Sequence, residues 1–399
     1  MIGNVVLGVT GGIAAYKSAD IVSRLKKQNI DVDVIMTKNA QRFIAPLTFQ
    51  SLSGRKTITD MFDTQFTPDI EHISLAKKAD IILIAPATAN MIAKIANGIA
   101  DDMLSTVVMA SRAKLLIAPA MNTVMYESAA NRQNLRTLRE RGAVIIEPSE
   151  GLLACKDIGK GKMQEPELIV DIVLYHLLKD SDLEGKKVLI TAGPTMESID
   201  PVRYITNRST GKMGYAMTQE AVRRGAEVVL VTGKTSLKIP YGVSEIISVG
   251  SAKQMYDAVM YHAPSSDIII KSAAVADYKP KHRSDSKIKK SDGDMRIELD
   301  RTDDILFELG KQKRHGQILV GFAAETDDVL QNAESKIKRK NLDLIVANDV
   351  KKQGAGFGTD TNIVTLIDRE GGYQHLPMMS KQEIAKCVFD KISESVDRS

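Results

Sequence analysis

Cysteine is scarce in this 399-residue chain, which holds Cys155 and Cys387 and no others. Two thiols make no disulfide framework, so a reducing, cytoplasmic setting is expected. An excess of one charge is also missing: 54 Lys and Arg face 50 Asp and Glu, leaving +4. With the two signs interleaved, nothing resembles the basic footprint of a nucleic-acid binder. No apolar run approaches the ~18 residues of a membrane span. Residues 1–16 lack a basic n-region and read directly as strand and turn, so no secretory leader is expected. There is no repeat of roughly 20–50 residues. The Gly-x-Gly-x-x-Gly fingerprint of nicotinamide-binding folds is absent too.

Two Gly/Thr-rich turns are present, each following an apolar strand. One is Gly8-Val9-Thr10-Gly11-Gly12-Ile13-Ala14, near the start; the other is Thr191-Ala192-Gly193-Pro194-Thr195, near the middle. A strand that turns through glycine into a helix leaves backbone N–H groups aimed at open space, a ready anion site. Two such starts imply two α/β domains, each able to hold a phosphorylated ligand. In the first half, apolar strands are expected at 4–9, 32–36, 81–85, 114–118 and 143–147, with amphipathic helices such as 14–28 and 89–99 between them. Strands apolar on both faces suit a parallel sheet covered on both sides. A helix over 166–179 and the polar segment 180–185 close this half. The second half restarts at 187–190, with strands at 227–231, 244–249, 267–271, 318–322 and 342–347, and a late hairpin from 361 through Gly371-Gly372. Residues 279–295 are charged and read as a long surface loop. The fold class is therefore two doubly wound, mostly parallel-sheet α/β domains in tandem, Rossmann-like or flavodoxin-like, spanning 1–182 and 186–399. Their ligands are expected at the carboxyl ends of the strands.

Chemistry-bearing residues cluster there. His72 lies just ahead of an expected helix start and is a natural proton acceptor near neutral pH. Two strand ends match, Ala85-Pro86-Ala87-Thr88-Ala89-Asn90 and Ala118-Pro119-Ala120-Met121-Asn122-Thr123. Each Pro is expected to end its strand, because it cannot donate to the ladder. Cap chemistry explains either end alone, whereas the pair suggests a shared pocket. Cys155 sits among three glycines and three lysines, in a stretch able to close over a ligand and favour thiolate. A small buried residue is the plain alternative, and Cys387 fits that better. In the second half, Asn207-Arg208-Ser209-Thr210-Gly211-Lys212 begins a helix and can present Lys212 to phosphate. Ser272-Ala273-Ala274 lets a flat ring approach the backbone, and Asp277 serves either a ribose hydroxyl or a helix cap. Lys336 and Lys340 are like charges at i, i+4, which repel unless something anionic answers them.

These residues resemble a known family over nearly the whole chain: the bacterial bifunctional enzymes that fuse phosphopantothenoylcysteine decarboxylase to phosphopantothenate–cysteine ligase in coenzyme A synthesis. The matching stretches are 8–17, His72-Ile73, 86–90, 119–125, 191–200, 205–214, 273–278, 287–290 and 321–326. The resemblance implies FMN in the first domain, held by Thr10, Gly11, Gly12, Thr37, Thr88, Asn90 and Ser105. It implies His72 as base, Asn122 on the substrate carboxylate and Cys155 as proton donor. In the second domain it implies CTP, with Mg²⁺, at Lys271, Ser272, Ala273, Asp277, Lys287, Asp304, Ile305, Phe322, Lys336 and Lys340. Lys212 is added from the residue reading. Asn207 is implied in turnover of the acyl-cytidylate, and Lys287 belongs to the Lys-x-Lys-Lys motif. It further implies trimeric decarboxylase contacts and dimeric ligase contacts, hence a dodecamer acting on small molecules. Two departures stand out. Met125-Tyr126 replaces the family's Met-Trp in a chain without tryptophan, and Arg301-Thr302-Asp303-Asp304 replaces its Asn-Pro-Asp. A flavin oxidoreductase fused to an unrelated nucleotide-binding domain is the alternative.

Overall fold

The computed structural model describes residues 3–62, 70–152, 157–177, 182–289, 295–325, 329–349 and 358–396. Cys155, Lys290, Thr326 and part of the 180–185 segment lie outside the described residues. The chain divides into two compact α/β units, Met1–Leu178 and Lys179–Ser399.

The first unit is built on a five-stranded parallel sheet: β1 (Asn4–Val9), β2 (Asp31–Met36), β3 (Ile81–Ala87), β4 (Lys114–Pro119) and β5 (Val144–Ile145). Its order is β2-β1-β3-β4-β5, every pair parallel. β1 and β3 are buried along their whole length, which is why their sequences are apolar on both faces. The helix Ala15–Lys27 packs its Ala15, Ile21, Val22 and Leu25 face inward. The order reverses between β1 and β3, so this is the topological switch point. Beyond the sheet, β6 (Ser149–Leu152) and β7 (Ile158–Lys162) form an antiparallel hairpin.

One expectation fails here. Pro119 does end β4, but Pro86 lies inside β3, where the register to β4 shifts between Ile84 and Ala87. Proline is tolerated there because the ladder is interrupted. The freed carbonyls are taken up by hydroxyls: Thr10 Oγ1 donates to Pro86 O at 2.7 Å and Ser18 Oγ to Ala85 O at 2.6 Å. The fifth strand is also shorter than the expected 143–147.

The second unit holds β8 (Lys187–Ala192), β9 (Met196–Ser198), β10 (Tyr204–Thr206), β11 (Glu227–Thr232), β12 (Glu245–Ser248), β13 (Ile268–Lys271), β14 (Tyr278–Pro280), β15 (Leu299–Arg301), β16 (Ile318–Glu325), β17 (Leu344–Asp349), β18 (Thr361–Asp368) and β19 (Tyr373–Ser380). Eight of these make one sheet, ordered β12-β11-β8-β13-β16-β17-β18-β19. It is parallel as far as β17 and then continues as the expected antiparallel hairpin. Its switch point lies between β8 and β13. A core of Leu189, Val229, Val231, Ile269, Leu319 and Ile345 lies beneath three helices, contacted by Met255, Leu309 and Ile337. The charged stretch expected as a plain loop leaves and returns through paired strands, because β14 and β15 form a two-stranded ribbon.

Candidate functional site

In the first unit, β1 ends at Val9 and the chain turns through Thr10, Gly11 and Gly12 into the helix Ala15–Lys27. Ala14 at the N-cap offers no side-chain cap. Ala15 N and Lys17 N bond back within the turn, to Gly12 O and Ala14 O, and the Gly11–Lys17 segment borders a cavity of about 500 Å³. Gly11 is required, because a Cβ there would lie 2.4 Å from Asn39 Cβ. The walls are apolar: Ile13, Tyr16, Met121, Met125, Leu152 and Met163. Gly161 brings the hairpin onto this wall. Met121 N–H donates to its carbonyl at 3.0 Å, and a Cβ at Gly161 (φ 146°) would fall 2.2 Å from Met121 O.

Of the residues expected here, Gly11, Gly12, Thr88 and Asn122 line the cavity. Asn122 caps the short helix after β4 through Oδ1, accepting from Val124 N at 2.8 Å, and its amide donates to Asp157 at 2.9 Å. The others are used in the scaffold. Thr10 is buried, donating to Pro86 O and accepting from Thr88 N at 3.0 Å. Thr37 Oγ1 accepts from Ala40 N at 3.3 Å. Ser105 forms a capping box with Asp102, and Asn90 is exposed in the first turn of Ala89–Asn97. Thr10, Thr37, Asn90 and Ser105 thus stand behind or beside this wall of the single chain. His72 is half-buried, the second residue of the helix Glu71–Lys78 rather than ahead of it. That helix leads into β3, and His72 does not line the cavity. Sequence reasoning missed Lys17, which lines the cavity almost fully buried. Its ammonium donates to Met163 O at 3.3 Å and Glu165 at 3.0 Å. The available signal was a lysine on the apolar stripe, four residues before Ile21.

In the second unit a cavity of about 300 Å³ is lined from β13, β16 and β17, at the carboxyl-end side of the sheet. Lys212, Lys271, Ser272, Ala273, Asp277 and Phe322 line it, as expected together. Gly211 is left-handed at φ 82° and gives the helix Lys212–Arg223 no side-chain cap, so its N–H groups are open to the cavity. The Ala273–Ala276 turn is fastened by threonines of the other Gly-rich segment. Ala273 N donates to Thr191 Oγ1 at 3.1 Å and Ala276 N to Thr195 Oγ1 at 2.9 Å. Asn207 joins them, its amide donating to Ala274 O and Val275 O, both at 3.2 Å. Asp277 is followed by β14 and starts no helix, so capping is not its role.

A charged group adjoins this cavity. Asp304 caps the helix Ile305–Gln312, accepting from Phe307 N at 3.1 Å, and pairs with Lys340 at 2.7 Å. That carboxylate answers one of the two like charges; Lys336 is half-buried on the same helix. Ile305 is buried behind. Burial, and secondarily Lys340, push the Lys271 ammonium down to about 8, against the pull of Asp304 and Asp277. Asp304, Ile305, Lys336, Lys340, Asn207 and Lys287 are not in the cavity wall itself. Missed by sequence were Lys381, Asn348 and Asn362 on the far wall. Lys381 is 4% exposed and donates to Thr359 O at 2.5 Å. Here too a lysine heads an apolar stripe, Ile384, Ala385 and Val388.

Fold and sites define a class: two doubly wound α/β units in tandem, the first with an apolar cleft, the second with a cavity lined by lysine. The Flavoprotein family model matches residues 2–178, and the DNA/pantothenate metabolism flavoprotein C-terminal domain model matches residues 183–396. The Coenzyme A biosynthesis bifunctional protein CoaBC of Bacillus subtilis is 53% identical over 392 residues, covering 98% of this chain and 96% of that one. Its counterpart in Escherichia coli is 43% identical over 396 residues, covering 98% and 97%. A crystal structure of a C-terminal domain of CoaBC aligns at TM-score 0.48 and 44% identity, over 55% of this chain and all of that one. The chain belongs to the family of bifunctional coenzyme A biosynthesis proteins.

Proposed function

We propose that the chain carries out two consecutive steps of coenzyme A biosynthesis. The ligase unit joins 4′-phosphopantothenate to cysteine at the expense of CTP, and the flavoprotein unit decarboxylates the product to 4′-phosphopantetheine. The observation that carries this reading is the 53% identity to the Bacillus subtilis protein, continuous across both units.

For the decarboxylase, the first-unit cavity fits FMN: uncapped N–H groups at Gly11–Gly12 suit a phosphate, and the Ile13, Tyr16, Met121 and Met125 walls suit a ring. Bound FMN supplies reversible two-electron oxidation of the substrate thiol, which puts the carboxylate beta to an electron acceptor. Asn122 holds that carboxylate, His72 takes a proton during oxidation, and Cys155 returns one during reduction. Ile13, Tyr16, Met125 and Leu152 are at least half exposed around the rim. A neighbouring copy in a trimer covers them and brings His72 to the cleft. Gly11, Gly12 and Thr88 touch the cofactor, with Thr10, Thr37, Asn90 and Ser105 supporting it.

For the ligase, a carboxylate is a poor electrophile and is first converted to an acyl-cytidylate with release of pyrophosphate. Lys212, Lys271, Lys287, Lys336 and Lys340 offset the charge in transfer, and Mg²⁺ enters as counter-ion of the triphosphate. Ser272 and Ala273 let the nucleotide approach the backbone. Asp277, Asp304, Ile305 and Phe322 complete its surroundings, and Asn207 serves the attack of cysteine. Ligase dimers joining decarboxylase trimers give a dodecamer. The decisive experiment is mass spectrometry of the purified protein with 4′-phosphopantothenate, cysteine, CTP and Mg²⁺. The expected products are 4′-phosphopantetheine, CMP and pyrophosphate. No product from flavin-loaded protein would refute the reading.

A further inference from the structure

The charged arm that carries Lys287 is held by an ion pair between a buried carboxylate, Asp200, and a partly exposed guanidinium, Arg203. Asp200, 2% exposed, is followed by Arg203 in the turn between β9 and β10. Its Oδ1 accepts from Val202 N and Arg203 N, both at 2.8 Å. Its Oδ2 accepts from Arg203 Nε at 3.0 Å and Nη2 at 2.6 Å. The same two side chains then grip both backbone groups of one residue far along the chain. Ile288 N donates to Asp200 Oδ2 at 3.2 Å, and Arg203 Nη2 donates to Ile288 O at 2.7 Å. Ser284 N adds a third tie, to Ile199 O at 3.0 Å. Lys287 and Lys289, on either side of Ile288, are exposed, and Lys287 is outside the chain's own cavity wall.

We propose that Asp200 and Arg203 are positioning residues of the ligase, which fix the Lys287 arm by clamping Ile288. The inference rests on the ligase reading above. A lysine ammonium ends a flexible four-carbon stem, so its placement depends on how firmly its backbone is held. Burial raises the Asp200 pKa, but Arg203 and the converging N–H groups outweigh it and hold the carboxyl well below the usual range. The clamp is therefore charged throughout the working pH range. Outside its own turn, the pair bonds to Ile288, through Asp200 Oδ2 and Arg203 Nη2.

The test is a double-mutant cycle in the full-length protein: Asp200→Asn, Lys287→Met and the pair, read as pyrophosphate release from CTP with 4′-phosphopantothenate. Asp200→Asn is expected to lower the rate at saturation by about 10–100-fold, with the KM for CTP within about twofold. In the Lys287→Met background the same change is expected to cost less than about twofold, because its effect passes through Lys287. Trypsin should also cut the arm sooner in Asp200→Asn. An unchanged urea-unfolding transition of the ligase unit checks that the second unit is folded. If Asp200→Asn is insoluble, Arg203→Lys carries the cycle instead. Equal losses in both backgrounds, or an undiminished rate, overturn the clamp. Wild-type protein that releases no pyrophosphate would instead overturn the ligase reading.

Discussion

Lys271 is the residue through which the ligase cavity can be read by protons. Its pKa falls from the ordinary 10.5 to about 8, first through burial and then through Lys340. One pK unit is worth about 1.4 kcal/mol, so the fall corresponds to at most about 3.5 kcal/mol. The sign follows from which state holds the proton more tightly. Here the unfolded chain does, so folding bears the whole cost below pH 8 and is relieved as pH rises from 8 to 10.5. Stability of the ligase unit should therefore increase with pH through that window, and Lys271→Met should be more stable at pH 7 by about 1–3 kcal/mol. A triphosphate beside the ammonium reverses the perturbation. At pH 8 about half the Lys271 population is neutral, so CTP binding should take up close to half a proton. Isothermal titration in buffers of different ionisation enthalpy measures this directly. The apparent binding enthalpy should vary with the buffer in the wild type and cease to vary in Lys271→Met. A buffer-independent enthalpy in the wild type, or a dependence unchanged in the variant, would refute the placement of the anion at Lys271.

Three further outcomes are expected. Arg224 is buried between Glu220, Asp182 and Asp390, and Arg224→Met should lower the ligase unit's stability by about 2–4 kcal/mol. Retention of Arg223 on Glu220 at 2.7 Å keeps the loss from being larger, and urea unfolding at neutral pH measures it. Gly161→Ala puts a methyl 2.2 Å from Met121 O at a positive φ. It should move the hairpin off the cavity and weaken FMN retention by about 10-fold, measured by flavin fluorescence during dilution. His72→Asn should abolish CO₂ release while leaving pyrophosphate release intact; wild-type-like decarboxylation would remove His72 from its assigned role.

Strand identity was legible because doubly buried parallel strands are written as unbroken apolar runs, as in 81–85 and 187–190. The helix starts after Gly11-Gly12 and Gly211 were legible because glycine at those turns has a geometric cause. What the sequence concealed was the use of hydroxyls and ammonium groups. Thr10 reads like a phosphate ligand beside two glycines, yet its hydroxyl links β1 to the irregular segment of β3. Pro86 reads as a strand end because local chemistry forbids a ladder bond, while the tertiary setting supplies Thr10 and Ser18 in place of one. Lys17 and Lys381 were hidden for the opposite reason. A lysine in a mixed-charge chain reads as surface, and only its phase against Ile21 or Ile384 betrays burial. The Asp200–Ile288 clamp joins residues 88 apart in sequence, a distance over which no pattern in the chain operates.

The two units solve one problem twice with different walls. In each, the sheet order reverses beside the first strand, and a helix without a side-chain cap follows a glycine turn, directly after β1 in the first unit and after the β9–β10 hairpin in the second. That geometry fixes where an anion rests and says nothing of what is attached to it. The choice lies in the surroundings. Around Gly11 the cavity presents methionine, isoleucine and tyrosine, with Lys17 engaged by Glu165, so a ring gains more there than further charge does. Around Gly211 the wall presents Lys212, Lys271 and Lys381, and the last two are pushed down first by burial and secondarily by a neighbouring lysine. Such a wall concentrates positive charge at the carboxyl end of the sheet. The apolar and cationic walls, rather than the glycine turns, are therefore what distinguish the two cavities.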